Sequence, residues 1–256
     1  MSGPLAEQFF QISVDGETIA GAIHKPLQAD PLGVVICLHG FNGDRVDSHR
    51  MLVKAGRIWT YHSLITVRFD FRGCGLSDGE FWRTTPTTRA RDALAVADFV
   101  ARRYPSLPIS FLGFSDGCRV ALQVVQTVTA TALILWSPIL RMESTESEGS
   151  HWQRHPMDHQ VVRPFLGHWV GYPYVREAAK YRVPERFTIP SLVLYGTHDP
   201  TVRPALADLA DRGTNFLEIP DAEHTFSRPT HEAAVIQRTV EFVDTVLQHG
   251  KRGVPL

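Results

Sequence analysis

The chain has 256 residues, of which 43% are hydrophobic and 21% charged, and its 26 lysine and arginine residues nearly balance its 27 aspartate and glutamate residues. This length fits one large domain or two small ones, and the apolar fraction excludes a chain that is disordered throughout. A net charge of −1, with no polybasic run, gives no general attraction to nucleic acid or to an anionic membrane, so we expect neither as a partner.

The N-terminal residues lack the charged and apolar regions of a signal peptide. The longest apolar runs are the size of a strand and fall well short of the roughly 20 residues that a membrane-spanning helix needs. The chain has only 3 cysteines, a sparse and odd number that argues against a disulfide framework and for a reducing compartment. We therefore expect a cytoplasmic location.

Predicted strands and helices alternate along most of the chain. Alternating residues on both sides of Asp15 and Gly16 predict an antiparallel hairpin. Mostly continuous apolar runs, typical of strands buried on both faces of a parallel sheet, follow at 34–39, 64–70, 109–113, 132–136 and 191–196. A further strand is predicted at 215–219. Helical patterns cover about 87–103, about 116–128 and a final segment that ends near His249. This order predicts an α/β sheet with right-handed crossovers.

One stretch, from residue 137 to about residue 188, shows no clear strand and is rich in aromatic residues. Irregular insertions of this length in a compact domain are usually functional. We expect a core domain made of residues 1–137 and 189–256, with residues 138–188 forming a cap; a surface excursion with its own small core is the alternative. The substrate-binding residues that we predict are Phe41, Phe114, Trp152, Trp169 and Tyr172.

The sequence Gly113-Phe114-Ser115-Asp116-Gly117 is the sharpest chemical signal in the chain. It follows an apolar strand and opens an amphipathic helix, which is the context that a nucleophile elbow requires. In such a turn the glycines avoid collisions, and the serine hydroxyl is lifted out of the sheet near the positive end of a helix. We predict that Ser115 is a nucleophile.

A serine hydroxyl needs a base to take its proton and a carboxylate to orient that base. In chain order, the acid and then the histidine are expected after the serine. Asp199 follows the strand at 191–196, and His224 follows the strand at 215–219 and precedes the last helix. We predict that both side chains reach Ser115 at one edge of the sheet.

With these motifs, with Leu38-His39-Gly40-Phe41 and with the stretch from Arg68 to Ser77, the chain resembles the α/β-hydrolases. Within that superfamily it is most similar to the cinnamoyl and feruloyl esterases and to the S33-peptidase-like (serine aminopeptidase-like) hydrolases. The resemblance implies a mostly parallel sheet of eight strands with helices on both faces and a cap after the sixth strand.

The resemblance also implies an oxyanion hole made by the backbone N–H groups of Phe41 and Asp116. Phe114 and Asp116 depart from the residues common in such enzymes. A carboxylate beside the nucleophile opposes a developing oxyanion but suits the first turn of a helix. Which effect prevails depends on the direction of the Asp116 side chain. For His39 and Asp70 we favour a role in holding loops together.

Two further kinds of site are disfavoured. His151, His155 and His159 have a helical spacing that could bind zinc, but Pro156 would interrupt the helix. No glycine-rich phosphate loop occurs in a suitable context. We therefore expect no metal and no cofactor.

The predicted function is that of a serine hydrolase that cleaves a small-molecule carboxylic ester or thioester through an acyl-enzyme. The alternatives are acyl transfer by the same acyl-enzyme, hydrolysis of a C–C bond or a peptide, and ligand binding by a non-catalytic member of the fold. The oligomeric state is left open, a homodimer included.

Overall fold

The computed structural model describes residues 6–142 and 151–252. Its central sheet has eight strands: Ala6–Val14 (β1), Glu17–Lys25 (β2), Gly33–Leu38 (β3), Leu64–Phe69 (β4), Ile109–Phe114 (β5), Ala132–Trp136 (β6), Ser191–Gly196 (β10) and Asn215–Ile219 (β11). Their order is β1-β2-β4-β3-β5-β6-β10-β11, in which β1 and β2 pair antiparallel, β2 is antiparallel to β4, and the other neighbouring pairs are parallel. The predicted α/β-hydrolase fold, with its mostly parallel sheet of eight strands, is confirmed.

Successive residues of each buried strand point to opposite faces of the sheet, so both faces are apolar. Helices cover both of them. In β3, for example, Val34, Ile36 and Leu38 join one hydrophobic cluster, whereas Val35 and Cys37 join the other. The first cluster packs under the helices Pro86–Arg103 (α2), Gly117–Val124 (α3), Tyr172–Lys180 (α4) and Arg203–Leu209 (α5), and the second under Met51–Thr60 (α1) and Pro229–Arg252 (α6).

The segment between β6 and β10 contains regular structure that the sequence analysis missed. Three short strands, Gln153–Arg154 (β7), Val161–Phe165 (β8) and His168–Gly171 (β9), form a separate antiparallel sheet, and α4 follows them. The turn between β8 and β9 has positive φ angles at Leu166 and Gly167, as a tight hairpin turn requires. Pro164 within β8 interrupted the pattern by which a strand is detected. Residues 143–150 of the predicted cap lie outside the described residues.

A short 3₁₀ turn, Phe81–Arg83, anchors the inserted segment to the core. The Trp82 ring stacks on His155 with 3.9 Å between ring centroids, and its Nε1 donates to Asp158 at 3.0 Å. The backbone at Gly171 comes so close to Trp82 that an added Cβ would lie 2.0 Å from the Trp82 carbonyl oxygen. These contacts fix the inserted segment beside the amino end of α2.

The carboxyl ends of β3, β5, β6, β10 and β11 all meet at one edge of the sheet, because these strands are parallel. In α/β sheets this edge is where ligands bind. Within residues 6–142 and 151–252, no helix is both long and apolar enough to cross a bilayer.

Candidate active site

Ser115 lies in a sharp turn between a buried strand and a helix. β5 ends at Phe114, Ser115 has a backbone φ of 53°, and α3 begins at Gly117. This φ is in the left-handed region, which residues with a side chain seldom adopt unless their surroundings hold them there. Here the Ser115 N–H donates to the Trp136 carbonyl at 2.8 Å, so the turn is tied to the end of the neighbouring strand β6.

The two glycines around the serine allow backbone segments to approach closely. A Cβ added to Gly113 would lie 2.5 Å from Cα of Cys118, and one added to Gly117 would lie 2.2 Å from the carbonyl oxygen of Leu38. Both distances are much shorter than a van der Waals contact between these atoms. The packing of α3 against β5 and β3 therefore requires glycine at both positions.

His224 and Asp199 reach Ser115 from the loops that follow β11 and β10. Nε2 of His224 lies 2.9 Å from Oγ of Ser115, and Nδ1 lies 2.6 Å from Oδ2 of Asp199. A carboxylate oxygen only accepts hydrogen bonds, so Nδ1 carries the proton and Nε2 presents its lone pair to the serine hydroxyl. The three predicted side chains thus come together in the arrangement that a general base for Ser115 needs.

Asp199 is buried, with 1% of its side chain exposed. Burial alone would raise the pKa of this carboxyl, but the hydrogen bonds from His224 and Thr201 outweigh it and leave the pKa below the ordinary value. Both the N–H and the hydroxyl of Thr201 donate to Oδ1, which leaves Oδ2 for the histidine. The carboxylate is therefore ionised and held in one orientation.

The two N–H groups predicted to form the oxyanion hole belong to Phe41, in the loop after β3, and to Asp116, directly after Ser115. Among the described residues, neither N–H donates to a protein acceptor. The carbonyl of each of these peptide groups accepts hydrogen bonds. In the peptide of the Asp116 N–H, the Ser115 carbonyl accepts from the N–H groups of Cys118 and Ile139, each at 3.1 Å. In the peptide of the Phe41 N–H, the Gly40 carbonyl accepts from Nδ1 of His39. Fixed amides with free N–H groups are what an oxyanion hole requires.

His39 holds its loop as a neutral ring. Its Nε2 accepts the Phe71 N–H at 3.1 Å, so Nδ1 carries the proton and donates to the Gly40 carbonyl at 2.8 Å. Burial lowers the pKa of His39 to about 3. The carboxylate of Asp70 pairs with Arg45 and accepts the N–H groups of Arg45 and Leu76. Both side chains therefore have the loop-holding contacts that we favoured from the sequence.

A pocket of about 380 Å³ opens beside Ser115. It includes two of the predicted substrate-binding residues, Phe41 and Phe114. Its lining comes from the loop after β3, the elbow and the His224 loop: Gly40, Phe41, Asn42, Gly43, Asp44, Val46, Asp47, Ser48, Phe114, Ser115, His224 and Thr225. Nine of these twelve residues are glycine or polar.

The other three predicted substrate-binding residues are not among those that line this pocket. Trp152 packs edge-on against Tyr172, with 5.2 Å between ring centroids, and Trp169 packs against His155 at 6.0 Å. These three rings therefore pack against other aromatic side chains of the inserted segment, and their predicted role in substrate binding stays a prediction.

The Asp116 side chain points into the protein core and is 1% exposed. Its Oδ2 accepts the Tyr174 hydroxyl and lies 3.4 Å from Nη1 of Arg89, and its Oδ1 pairs with Arg119. Both guanidinium groups are fully buried. The carboxylate next to the nucleophile is therefore compensated by two cations, which answers the question that the sequence left open.

Sequence reasoning missed four residues that support the site: Thr201, Arg89, Arg119 and Tyr174. Arg119 stands three residues after Asp116, one helical turn away, and Arg89 falls on the same helical stripe as the buried Ala93 and Val96. A charge on an apolar stripe is a signal that could have been noticed. Tyr174 carried no comparable signal, because it lies 58 residues from Asp116.

The segment with His151, His155 and His159 is not helical, and His155 packs on Trp82. In the parts of the chain that the structure describes, no three histidine, cysteine, aspartate or glutamate side chains come together as metal ligands.

Comparison with known proteins gives one family and many similar folds. The family described as serine aminopeptidase, S33, matches residues 29–169. Comparison with curated proteins gives no match.

Among solved structures, Est1E from Butyrivibrio proteoclasticus with bound ferulic acid is similar over 93% of this chain and 99% of its own, with a TM-score of 0.79 and 23% identity. The alpha/beta hydrolase GrgF from Penicillium sp. sh18 is similar over 96% and 99%, with a TM-score of 0.74 and 14% identity. The esterase domain of a Rhodothermus marinus protein is similar over 93% and 97%, with a TM-score of 0.71 and 18% identity. At these identities the likeness concerns the fold.

Proposed function

The chain belongs to the serine aminopeptidase S33 family of hydrolases, and we propose that it cleaves a carboxylic ester or thioester through an acyl-enzyme on Ser115. The observation that carries the proposal is the hydrogen-bonded series from Ser115 through His224 to Asp199, with 2.9 Å and 2.6 Å between the paired atoms. A series with this tautomer converts an inert hydroxyl into a nucleophile.

The reaction proceeds in two halves. Oγ of Ser115 bonds to the carbonyl carbon while its proton passes to Nε2 of His224, and the carbonyl oxygen becomes an oxyanion. The C–O or C–S bond to the leaving group then breaks, and the leaving alcohol or thiol takes the proton from Nε2. Water repeats both steps on the acyl-serine, which releases the acid and restores the hydroxyl.

The N–H groups of Phe41 and Asp116 stabilise the oxyanion in this proposal. Their peptide carbonyls are each bound by other donors, so the amides need little reorganisation when negative charge develops. The loss of one such donor typically costs about 10²–10³ in turnover. The Asp116 carboxylate does not oppose the oxyanion, since Arg89 and Arg119 compensate it.

We propose that residues 138–188 act as a cap and that Trp152, Trp169 and Tyr172 influence substrate choice through it. The cap's Phe165 and Tyr174 rings pack against Phe41, with centroid distances of 5.9 Å and 4.8 Å, so the cap bears directly on a pocket residue. Because Est1E was solved with ferulic acid, esters of aromatic acids are the first substrates to test. We also propose a small-molecule substrate and a cytoplasmic location. The three cysteines are buried free thiols, which is consistent with a reducing compartment.

The decisive experiment is labelling with a fluorophosphonate, which forms an Oγ–P bond with loss of fluoride only at an activated serine. We expect one label per chain, mapped to Ser115 by peptide mass spectrometry. Ser115→Ala should abolish labelling, whereas Ser110→Ala, at a buried serine in β5, should retain it. A folded chain that is not labelled at Ser115 would overturn the proposal.

Product analysis then separates hydrolysis from acyl transfer. A panel of esters that differ in the acyl group is incubated with and without an acceptor alcohol or amine, and the acid and any new ester or amide are quantified. Free acid as the dominant product supports the hydrolase, whereas transfer to the acceptor in preference to water identifies the alternative.

A further inference from the structure

A buried cation lies directly behind the proposed oxyanion hole. Arg89 is in the first turn of α2 and its side chain is fully buried. This position is unfavourable for a cation, because the positive end of the helix dipole is there and because burial removes the hydration of the guanidinium. Four aromatic rings surround it, with Cζ 5.1–5.5 Å from the ring centroids of Phe41, Phe71, Phe81 and Tyr174. Such rings attract a cation and partly replace its hydration.

The same guanidinium contacts both segments that supply the oxyanion N–H groups. Nη2 donates to the Phe41 carbonyl at 2.5 Å, and Nη1 lies 3.5 Å from the Gly40 carbonyl oxygen. Nη1 also lies 3.4 Å from Oδ2 of Asp116, on the other segment. One rigid, planar group therefore spans the loop after β3 and the start of α3, which are not adjacent in sequence.

Arg119 provides an internal comparison for this role. It is also fully buried and also pairs with Asp116. Its described contacts are with Asp116 and the Tyr174 ring, whereas the contacts to Gly40 and Phe41 belong to Arg89. The two arginines thus share the charge of Asp116, but Arg89 alone of the two joins that carboxylate to the Phe41 loop.

We propose that Arg89 is a positioning residue that holds the N–H groups of Phe41 and Asp116 at the separation needed to bind one oxyanion. This inference rests on the proposed hydrolase function. Arg89 does not touch the substrate in this role; it fixes the two peptide segments from behind. Because the oxyanion exists only after Oγ attacks, a loosened hole should weaken the transition state more than the bound ester.

The test compares Arg89→Met, Arg89→Lys and Arg119→Met on a chromogenic ester. Methionine keeps an unbranched side chain among the aromatic rings, and each methionine variant leaves one guanidinium paired with Asp116. A misplacement of about 1 Å costs about 10²-fold in rate, so we expect Arg89→Met to lower kcat by about 10²-fold with KM changed less than about threefold. Arg119→Met should lower kcat by less than about tenfold, because it leaves the contacts of Arg89 with the Phe41 loop in place.

Binding of a boronic acid gives a second readout, because its tetrahedral adduct on Ser115 places an oxygen in the hole. The inhibition constant should rise by the same factor as kcat/KM falls for the Arg89 variants, while the affinity for the carboxylic acid product stays within about threefold. Arg89→Lys keeps the charge but cannot span both segments, so it should lie between the wild type and Arg89→Met.

The outcomes are distinguishable. Arg89 variants that are folded, by circular dichroism and melting temperature, and keep wild-type kcat would overturn the positioning role, as would equal losses in Arg89→Met and Arg119→Met. If Arg89→Met does not fold, Arg89→Lys decides by the same criterion. Failure of the proposed hydrolase function would be seen earlier, as absent fluorophosphonate labelling of the wild-type Ser115.

Discussion

Substitution of Gly117 by alanine tests how closely α3 must approach β3. The added Cβ would lie 2.2 Å from the carbonyl oxygen of Leu38 and 2.6 Å from that of His39. A carbon atom packs at about 3.3 Å or more from such an oxygen, so the helix start must move by about 1 Å. Both nearby atoms belong to the backbone, so a side-chain rotation cannot relieve the overlap.

That shift moves Asp116, whose N–H belongs to the proposed oxyanion hole, relative to Phe41. A misplacement of about 1 Å corresponds to about a 10²-fold loss in kcat/KM. Overpacking of this kind costs about 1–3 kcal/mol in the free energy of unfolding. In a protein of this size each kcal/mol lowers the melting temperature by about 2–4 °C.

The assay is steady-state hydrolysis of a chromogenic ester together with differential scanning calorimetry. Gly250→Ala is the control, since an added Cβ at Gly250 meets no atom within 4 Å. It should keep the wild-type kcat/KM, and its melting temperature should not be lowered, because alanine is favoured over glycine within a helix. If Gly117→Ala keeps kcat/KM within about threefold and the wild-type melting temperature, the steric argument for the elbow is wrong.

Three further predictions concern single side chains. Ser115→Ala should abolish ester hydrolysis and leave the melting temperature nearly unchanged, as measured by calorimetry; residual turnover equal to the wild type would contradict the nucleophile assignment. Thr201→Val removes a hydroxyl that donates to Asp199, so kcat should fall by about tenfold, as expected for one hydrogen bond to a charged group, with little change in KM. An unchanged kcat would mean that the hydrogen bond from His224 alone is enough to orient the Asp199 carboxylate. Burial lowers the pKa of His39 to about 3 and is the main cause that lowers that of His24 to about 4. Because the unfolded chain takes up these protons near the ordinary pKa of 6.5 and the folded chain does not, stability should fall as the pH drops below that value, by up to about 1.4 kcal/mol per pH unit for each histidine. Urea unfolding over this range should show a shallower dependence in His39→Gln, and identical slopes would refute the assignment.

Much of the fold was predictable because its signals are local. Most strands of the central sheet are apolar runs, and the first two form a hairpin. Its turn residues Asp15 and Gly16 both have positive φ, as a tight turn requires. The elbow was predictable because its glycines mark a turn between a strand and a helix. Asp199 and His224 could be placed because the carboxyl ends of parallel strands meet at one edge.

The remaining features depend on contacts between distant parts of the chain. The direction of the Asp116 side chain is set by Arg89, 27 residues earlier, and by Tyr174, 58 residues later. Neither spacing corresponds to a local pattern. The aromatic residues of the inserted segment indicated a packed unit, but composition could not show that Trp152 would pack on Tyr172 rather than line the pocket.

The hydroxyl that Tyr174 donates to Asp116 bears on the engineering of chimaeras. The inserted segment lies between the core strands β6 and β10, so the corresponding segment of another hydrolase can be joined to the core at these two strands. A donor segment without a phenol at the matching place would strip one partner from a buried carboxylate, at a cost of about 1–3 kcal/mol. Successful swaps should therefore carry a tyrosine there, or replace Asp116 together with the transplant.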